Sequence, residues 1–293
     1  MNTVMVIGAG FMGSGIAQVC IQSGYKVILC DTEIKSLKKA KAGIAWSLEK
    51  LHQKGRIKEP PASVLERLET AQGFETGLET DPKISWVIEA VVEDESLKKK
   101  ILAMVEDRVE KEIKIATNTS SIPVSRLALS LKHPERFMGL HFFGPVPLMG
   151  LVEVVRGKMT SEAVFAQGMA FVKNLGKYPV KVTKDIPGFV MNRVFAAAFR
   201  ECQELVANGI TTPRDIDTGM RLGYGWTAGP FEIADNAGLD TIVRIGKSMK
   251  SLGESYLYSD TGLVEKMVEK GNLGRKSGQG FYPYGTESGK TSK

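Results

Sequence analysis

Histidine and cysteine are scarce in this chain, with three of each. Cys20, Cys30 and Cys202 show neither CxxC nor metal-ligand spacing. An odd, scattered set excludes a disulfide framework and points to a reducing compartment, with Cys20 and Cys30 as small core residues. So few His and Cys also leave little material for a metal site, and none is expected. No stretch approaches the roughly 20 unbroken apolar residues of a bilayer span, so no membrane partner is expected. Basic residues are dispersed and nowhere interleave with aromatics, which argues against nucleic acid. The net charge of +6 then favours an anionic small molecule. The first strand-like run begins almost at Met1, leaving no room for a cleavable leader, and a cytoplasmic protein is expected, although a matured organelle protein trimmed at its N-terminus would look the same.

What is present suits a two-domain enzyme: 293 residues, 43% hydrophobic and 25% charged, too long for one comfortable core. Val4-Met5-Val6-Ile7 reads as a strand buried on both faces. Gly8-Ala9-Gly10-Phe11-Met12-Gly13 follows, then a helix over 14–22 ending at Gly24, and a strand over 26–30 closed by Asp31. Strand, G-x-G-x-x-G, helix, strand and acid come in the order of a mononucleotide-binding βαβ unit. Gly8 permits the tight turn, Gly10 lets the backbone approach a pyrophosphate, and Gly13 lets the helix pack against the sheet. The helix N-terminus offers N–H groups to the phosphates. Asp31 can accept from ribose hydroxyls and would repel a 2′-phosphate, which selects NAD over NADP.

An amphipathic helix over 36–54 and a partner over 62–68 read as a helix-pair insertion before the next strand, 86–91. Lys50, Lys54, Arg56 and Lys58 crowd its tip, either as a solvated face or as a seat for a phosphate-bearing substrate tail. Alternation continues with a helix over 96–109, a strand over 113–117, the polar run Asn118-Thr119-Ser120-Ser121, strands over 137–143 and 151–156, a helix over 161–175 and a strand over 178–183. The expected fold is α/β, a Rossmann-type doubly wound, mostly parallel sheet over 1–186. Ligands of such sheets sit beyond the carboxyl ends of the strands, which gathers Glu93, Asn118, Ser120 and His141 at one rim. Beyond Asp185-Ile186-Pro187-Gly188, a plausible hinge, 187–293 reads as all-α. A buried helix over 189–208 comes first, and helices follow Thr212-Pro213 and Gly229-Pro230 and span 241–250 and 261–270. The polar tail after Tyr284 is expected to fray.

Removing a hydroxyl proton during hydride transfer requires a base. His141 is the best candidate, at the end of one predicted strand, with Glu153 on the next between apolar β residues. A buried carboxylate is costly unless paired. Pairing with His141 would relieve that cost and fix the imidazole tautomer, although an ordinary structural salt bridge fits the spacing as well. His52 and His133 lie in polar contexts and are expected to be exposed.

In this order, Gly8-Ala9-Gly10-Phe11-Met12-Gly13, Asn118-Thr119-Ser120-Ser121, His141-Phe142-Phe143 with Pro145-Val146-Pro147, Leu151-Val152-Glu153-Val154, Pro187-Gly188-Phe189 with Asn192-Arg193, and Gly274-Arg275-Lys276-Ser277-Gly278 with Gly280-Phe281-Tyr282 closely resemble the L-3-hydroxyacyl-CoA dehydrogenases over nearly the whole chain. The resemblance implies NAD as cofactor, a 3-hydroxyacyl-CoA or 3-oxoacyl-CoA substrate and a homodimer built on the helical domain. It implies His141 as base, Glu153 as its orienting partner, and Ser120 and Asn192 as hydrogen-bond donors to the reacting oxygen or the cofactor. The turn residues Gly8, Gly10, Phe11, Met12 and Gly13, with Asp31, Glu93, Lys98, Ser120 and Lys276, are implied to meet NAD. Ser47 and Lys54, with Ser120, are implied to meet coenzyme A. Two positions depart: the family commonly has Asn and Lys where this chain has Gly144 and Gly150, and an altered acyl range is the expectation drawn from that. A dehydrogenase of a free 3-hydroxy acid and a non-catalytic, crystallin-like NAD-binding protein are the competing readings.

Overall fold

The computed structural model describes residues 2–80 and 83–285, and the tail expected to fray lies almost wholly outside them. The chain divides into two compact units, Met1–Ile186 and Pro187–Lys293. The first runs β1 (Thr3–Ile7), α1 (Phe11–Gln22), β2 (Lys26–Asp31), α2 (Ile34–Gln53), α3 (Pro61–Leu65), β3 (Leu68–Gln72), α4 (Phe74–Thr80), β4 (Ile84–Glu89), α5 (Glu95–Glu106), β5 (Lys114–Thr117), α6 (Val124–Ala128), β6 (Phe137–Phe142), β7 (Leu151–Val155), α7 (Glu162–Asn174) and β8 (Tyr178–Val182). One sheet holds all eight strands in the order β3-β2-β1-β4-β5-β6-β7-β8. The chain winds outward in one direction from β1 and in the other from β4, so the topological switch lies between those two strands. β1 is buried at every position, as a strand covered on both faces must be, and its apolar run supplies the core without alternation.

The helix-pair insertion takes a different form. Only five residues after Pro60 are helical, and Leu68, read as the end of that helix, opens β3, which pairs in parallel with β2. The pair is therefore the crossover between β2 and β3, and not an insertion ahead of the strand at Trp86. β3 escaped notice because it is an edge strand in which only Leu68 and Ala71 point inward. α4 and α6, short helices, were likewise unforeseen.

β6 runs parallel to β5, but β7 turns back antiparallel to β6 and sets His141 directly opposite Glu153. Paired residues on antiparallel neighbours project from the same face. The reversal is what makes the two side chains meet. The eight-residue connection 143–150 is held against α1: the position of a Cβ on Gly15 lies 2.8 Å from Val146 Cβ. Lys177 donates to the carbonyls of Val146 at 2.7 Å and Met149 at 2.5 Å.

The second unit contains α8 (Met191–Ala207), α9 (Pro213–Tyr224), α10 (Pro230–Ala237), α11 (Leu239–Ser251) and α12 (Leu263–Glu269). Thr212 caps α9 by accepting from Asp215 N, with proline at the first helical position, as its sequence foretold. The expected burial of the helix over 189–208 is not met within one chain: α8 buries only Phe199, Cys202 and Gln203, and Val194 stays exposed. Its core gathers Phe199, Phe231, Ala234, Leu239 and Val264. Two fully buried carboxylates tie the end of the chain to this core. Asp217 accepts from Phe231 N, Glu232 N and the Tyr282 hydroxyl, and Asp235 from Phe281 N, Tyr282 N and the Tyr284 hydroxyl. A Cβ on Gly280 would lie 2.1 Å from Asp235 Oδ1, so this glycine of the C-terminal motif is demanded by packing. Among the described residues no helix is long and apolar enough to cross a membrane.

Candidate active site

The ends of β1, β2, β4, β5 and β6 build the site in the first unit. After β1, Gly8 adopts φ +106°, and a Cβ there would lie 2.6 Å from the Ala90 carbonyl oxygen at the end of β4. A Cβ on Gly13 would lie 1.7 Å from Gly8 O. Both glycines are thus required by the protein itself. Gly10 is different: its φ is −71° and a Cβ would meet nothing within 4 Å, so neither backbone nor packing demands glycine there. What glycine preserves is open space directly before α1, whose first turn has no side-chain cap and no acidic residue. Uncapped N–H groups, a positive dipole end and space beside them suit a pyrophosphate. At the end of β2, Asp31 accepts from Ala9 N at 2.7 Å and from Glu33 N at 2.9 Å. The backbone thereby holds its carboxylate at the turn, where a ribose would lie. These residues fit NAD.

Beyond β4 and β5 a charge network, buried at Glu89 and Lys98, carries the loop of Ser120. Glu93 accepts through one oxygen from Thr119 Oγ1 at 2.7 Å, Ser120 N at 2.8 Å and Ser121 N at 3.1 Å, and Ser120 Oγ donates to the same oxygen at 3.2 Å. Burial alone would push the Glu93 pKa up, but the Lys98 charge and these hydrogen bonds outweigh it and hold it below the usual value. Lys98 has no solvent exposure; its Nζ lies 2.7 Å from Glu89 and 3.4 Å from Glu93. It supports the rim through Glu93 and does not reach it directly. Glu89, equally buried, also accepts from Thr117 Oγ1 at 2.6 Å and Val91 N at 2.8 Å. Sequence reasoning missed Glu89. The signal was an acid on a strand otherwise apolar, the same signal that singled out Glu153.

On the next strand His141 Nδ1 lies 2.7 Å from Glu153 Oε2, with the His141 side chain 7% and that of Glu153 0% exposed. An ionised carboxylate only accepts, so Nδ1 donates and the tautomer is set. The ring rests against Phe143, centroids 4.4 Å apart. Phe142 N donates to Asn118 Oδ1 at 2.9 Å, which locks the end of β6 to the loop of Ser120.

The remaining expected residues lie elsewhere. Ser47 and Lys50 share one face of α2 by their spacing, and Lys54 caps its end; Lys50 and Lys54 are exposed, and Ser47 Oγ accepts from Gln18 Nε2 at 2.9 Å. Asn192 stands in the first turn of α8, and Lys276 donates to Asp240 Oδ2 at 2.7 Å, both in the second unit. His52 is exposed as expected, whereas His133 is half-buried with Nδ1 3.4 Å from Glu135. A side chain at 144 would head for Phe11 and Met12 of the dinucleotide turn, so this departure bears on the cofactor side and lends no support to an altered acyl range. Gly150 has nothing within 4 Å of its Cβ position.

A dinucleotide turn sharing its rim with an imidazole–carboxylate pair belongs to the α/β dehydrogenases that use a nicotinamide cofactor. Comparison with known proteins gives the particular family. Residues 3–186 match the NAD binding domain of 3-hydroxyacyl-CoA dehydrogenase, and 188–284 match its C-terminal domain. The chain belongs to this family. It is 41% identical over 280 residues to a probable 3-hydroxybutyryl-CoA dehydrogenase of Deinococcus radiodurans, covering 95% of this chain and 99% of the relative. Identity is 37% to the mitochondrial hydroxyacyl-coenzyme A dehydrogenase of Homo sapiens, over 96% and 90% of the two chains. The crystal structure of the (S)-3-hydroxybutyryl-CoA dehydrogenase of Ralstonia eutropha superposes with a TM-score of 0.88 at 38% identity, covering 98% of this chain and all of that one.

Proposed function

We propose that the protein catalyses the reversible, NAD-dependent oxidation of a (3S)-3-hydroxyacyl-CoA to the 3-oxoacyl-CoA, with His141 as the base. The observation that carries this reading is the buried 2.7 Å contact between His141 Nδ1 and Glu153 at the rim of the dinucleotide turn. Bound NAD supplies the acceptor for the hydride released from C3. With Nδ1 committed to Glu153, Nε2 takes the proton from the C3 hydroxyl, and the Glu153 carboxylate offsets the positive charge the ring acquires. Ser120, fixed by Glu93, orients the reacting oxygen. Asn192 serves the same oxygen or the cofactor, and Lys276 the cofactor. The backbone at Gly8–Gly13 and the Asp31 carboxylate hold the dinucleotide. The basic face of α2, with Ser47 and Lys54, takes the phosphates of coenzyme A.

NADH oxidation with acetoacetyl-CoA, longer 3-oxoacyl-CoAs and free acetoacetate tests this directly. The thioesters are expected to exceed the free acid at least about a hundredfold in kcat/KM, as the loss of several charge-assisted contacts requires. Lys54→Ala should raise KM for acetoacetyl-CoA about tenfold with kcat unchanged, the effect of removing one charged hydrogen bond. Equal efficiency on the free acid would replace the substrate class, and no turnover at all would leave a non-catalytic NAD-binding protein.

Two copies associate through the helical unit, where Leu222 is 84% and Tyr224 79% exposed near the end of α9. Large apolar side chains of this unit left in water support an interaction surface on it. Light scattering should give twice the chain mass, and Leu222→Asp should halve it; a parent that elutes as a monomer at micromolar concentration rejects the dimer.

A further inference from the structure

Phe11 is the first residue of α1 and is 69% exposed. It directly follows Gly10, the glycine that neither backbone nor packing explains. Across from it, the Cβ of any side chain at 144 would lie 2.5 Å from Phe11 Cε1, 3.2 Å from Cζ and 3.4 Å from Met12 Sδ. The backbone at Gly144 lies outside the left-handed region, so conformation does not call for glycine there; a side chain would instead have to displace the Phe11 ring. Retreat of the loop would not relieve the contact cheaply. Val146, two residues on, is 1% exposed against α1, and Lys177 clamps the carbonyls of Val146 and Met149. The ring and the absent side chain therefore compete for one volume, between the dinucleotide turn and the segment that leaves His141.

We propose that Phe11 and Gly144 form one cofactor-affinity device, in which the missing side chain at 144 lets the Phe11 ring lie as an apolar wall for NAD bound at the Gly10 turn. The inference rests on the dehydrogenase reading above. The occupant that covers the ring is the dinucleotide because the ring starts at the residue after Gly10 and tops the uncapped first turn of α1. A large aromatic surface left in water there gains its favourable contact only when the ligand arrives. The side chain, and not only the backbone of the turn, then sets how tightly the cofactor is held.

NADH titration by fluorescence, without acyl substrate, tests the device on four proteins: parent, Phe11→Ala, Gly144→Ala and the double variant. Both positions are exposed, so folding is preserved and a thermal melt verifies it. Phe11→Ala is expected to raise the NADH Kd about five- to tenfold, the scale of one lost aromatic contact. Gly144→Ala should raise it about threefold by displacing the ring, and should do nothing further once Phe11 is gone. Such non-additivity is the signature of a shared volume. The ratio of kcat/KM between short and long acyl chains should stay the same in all four. A Phe11→Ala Kd within twofold of the parent overturns the proposal, as does an equal cost of Gly144→Ala in both backgrounds or a shifted acyl-length profile, which would make the ring a substrate wall. A parent that binds no NADH sinks the dehydrogenase reading itself, a result distinct from any of these.

Discussion

His141→Ala is expected to lower kcat for acetoacetyl-CoA reduction about a thousandfold while the NADH Kd stays within about twofold. A positioned general acid–base group contributes roughly 10²- to 10⁴-fold, and His141 is the ring that the fold aims at this task. Alanine also removes the imidazole that faces Glu153, a carboxylate with no solvent exposure, and losing one partner of a buried charge destabilises its surroundings. His141→Gln separates the two effects. Its amide can donate to Glu153 in place of Nδ1, so it should melt closer to the parent than alanine does, yet with kcat equally depressed. Glu153→Gln keeps the imidazole but offers an amide donor to Nδ1, which turns the ring to the wrong tautomer; a loss of about a hundredfold is expected. If His141→Gln keeps a tenth or more of the parent kcat, the base is some other group.

How much of this could be read in advance depends on how local the signal is. The dinucleotide turn is written within a few residues, because Gly8 and Gly13 are demanded by contacts with Ala90 and with the turn itself. The meeting of His141 with Glu153 needed one more step: both were visible as polar residues on apolar strands, but only the antiparallel register of β6 and β7 puts them face to face. Lys98 shows the limit. Its position on α5 was legible, but its complete burial between Glu89 and Glu93 follows from how α5 packs beneath the rim, which no periodicity reports. β3 was lost because an edge strand with two inward residues has almost no pattern to detect. α8 misled for the opposite reason: an apolar helix announces that a surface will be covered, and says nothing of whether its own chain covers it.

The buried charge network predicts the largest loss of stability. Lys98→Met should destabilise the first unit by about 3–5 kcal/mol, the usual cost of breaking a buried ion pair by removing one partner. For a chain of this size that corresponds to a fall in Tm of about 10 °C. The ammonium is 2.7 Å from Glu89 and 3.4 Å from Glu93, and methionine fills its volume while leaving two carboxylates beneath the Ser120 loop with no cation. The loss should depend on pH. In the parent, the Glu93 pKa is held below its unfolded value, so its stabilisation is full above about 4.3 and declines as pH falls through the folded pKa. Without Lys98 one of the groups that hold the Glu93 pKa down is gone, so protonation of Glu93 costs the variant less than the parent, and the gap between them should narrow as pH falls from 7 through the Glu93 pKa. Glu89→Gln combined with Lys98→Met removes one of the stranded charges and should recover at least half the lost Tm. Because Glu93 accepts from Ser120 and Ser121, the single variant should also loosen that loop and raise the NADH Kd, an effect that the rescue by Glu89→Gln should reduce in step with stability. A Lys98→Met protein melting within 2 °C of the parent at pH 7 would mean that the network is solvated in solution, and that Glu93 holds the Ser120 loop without help from the cation below it.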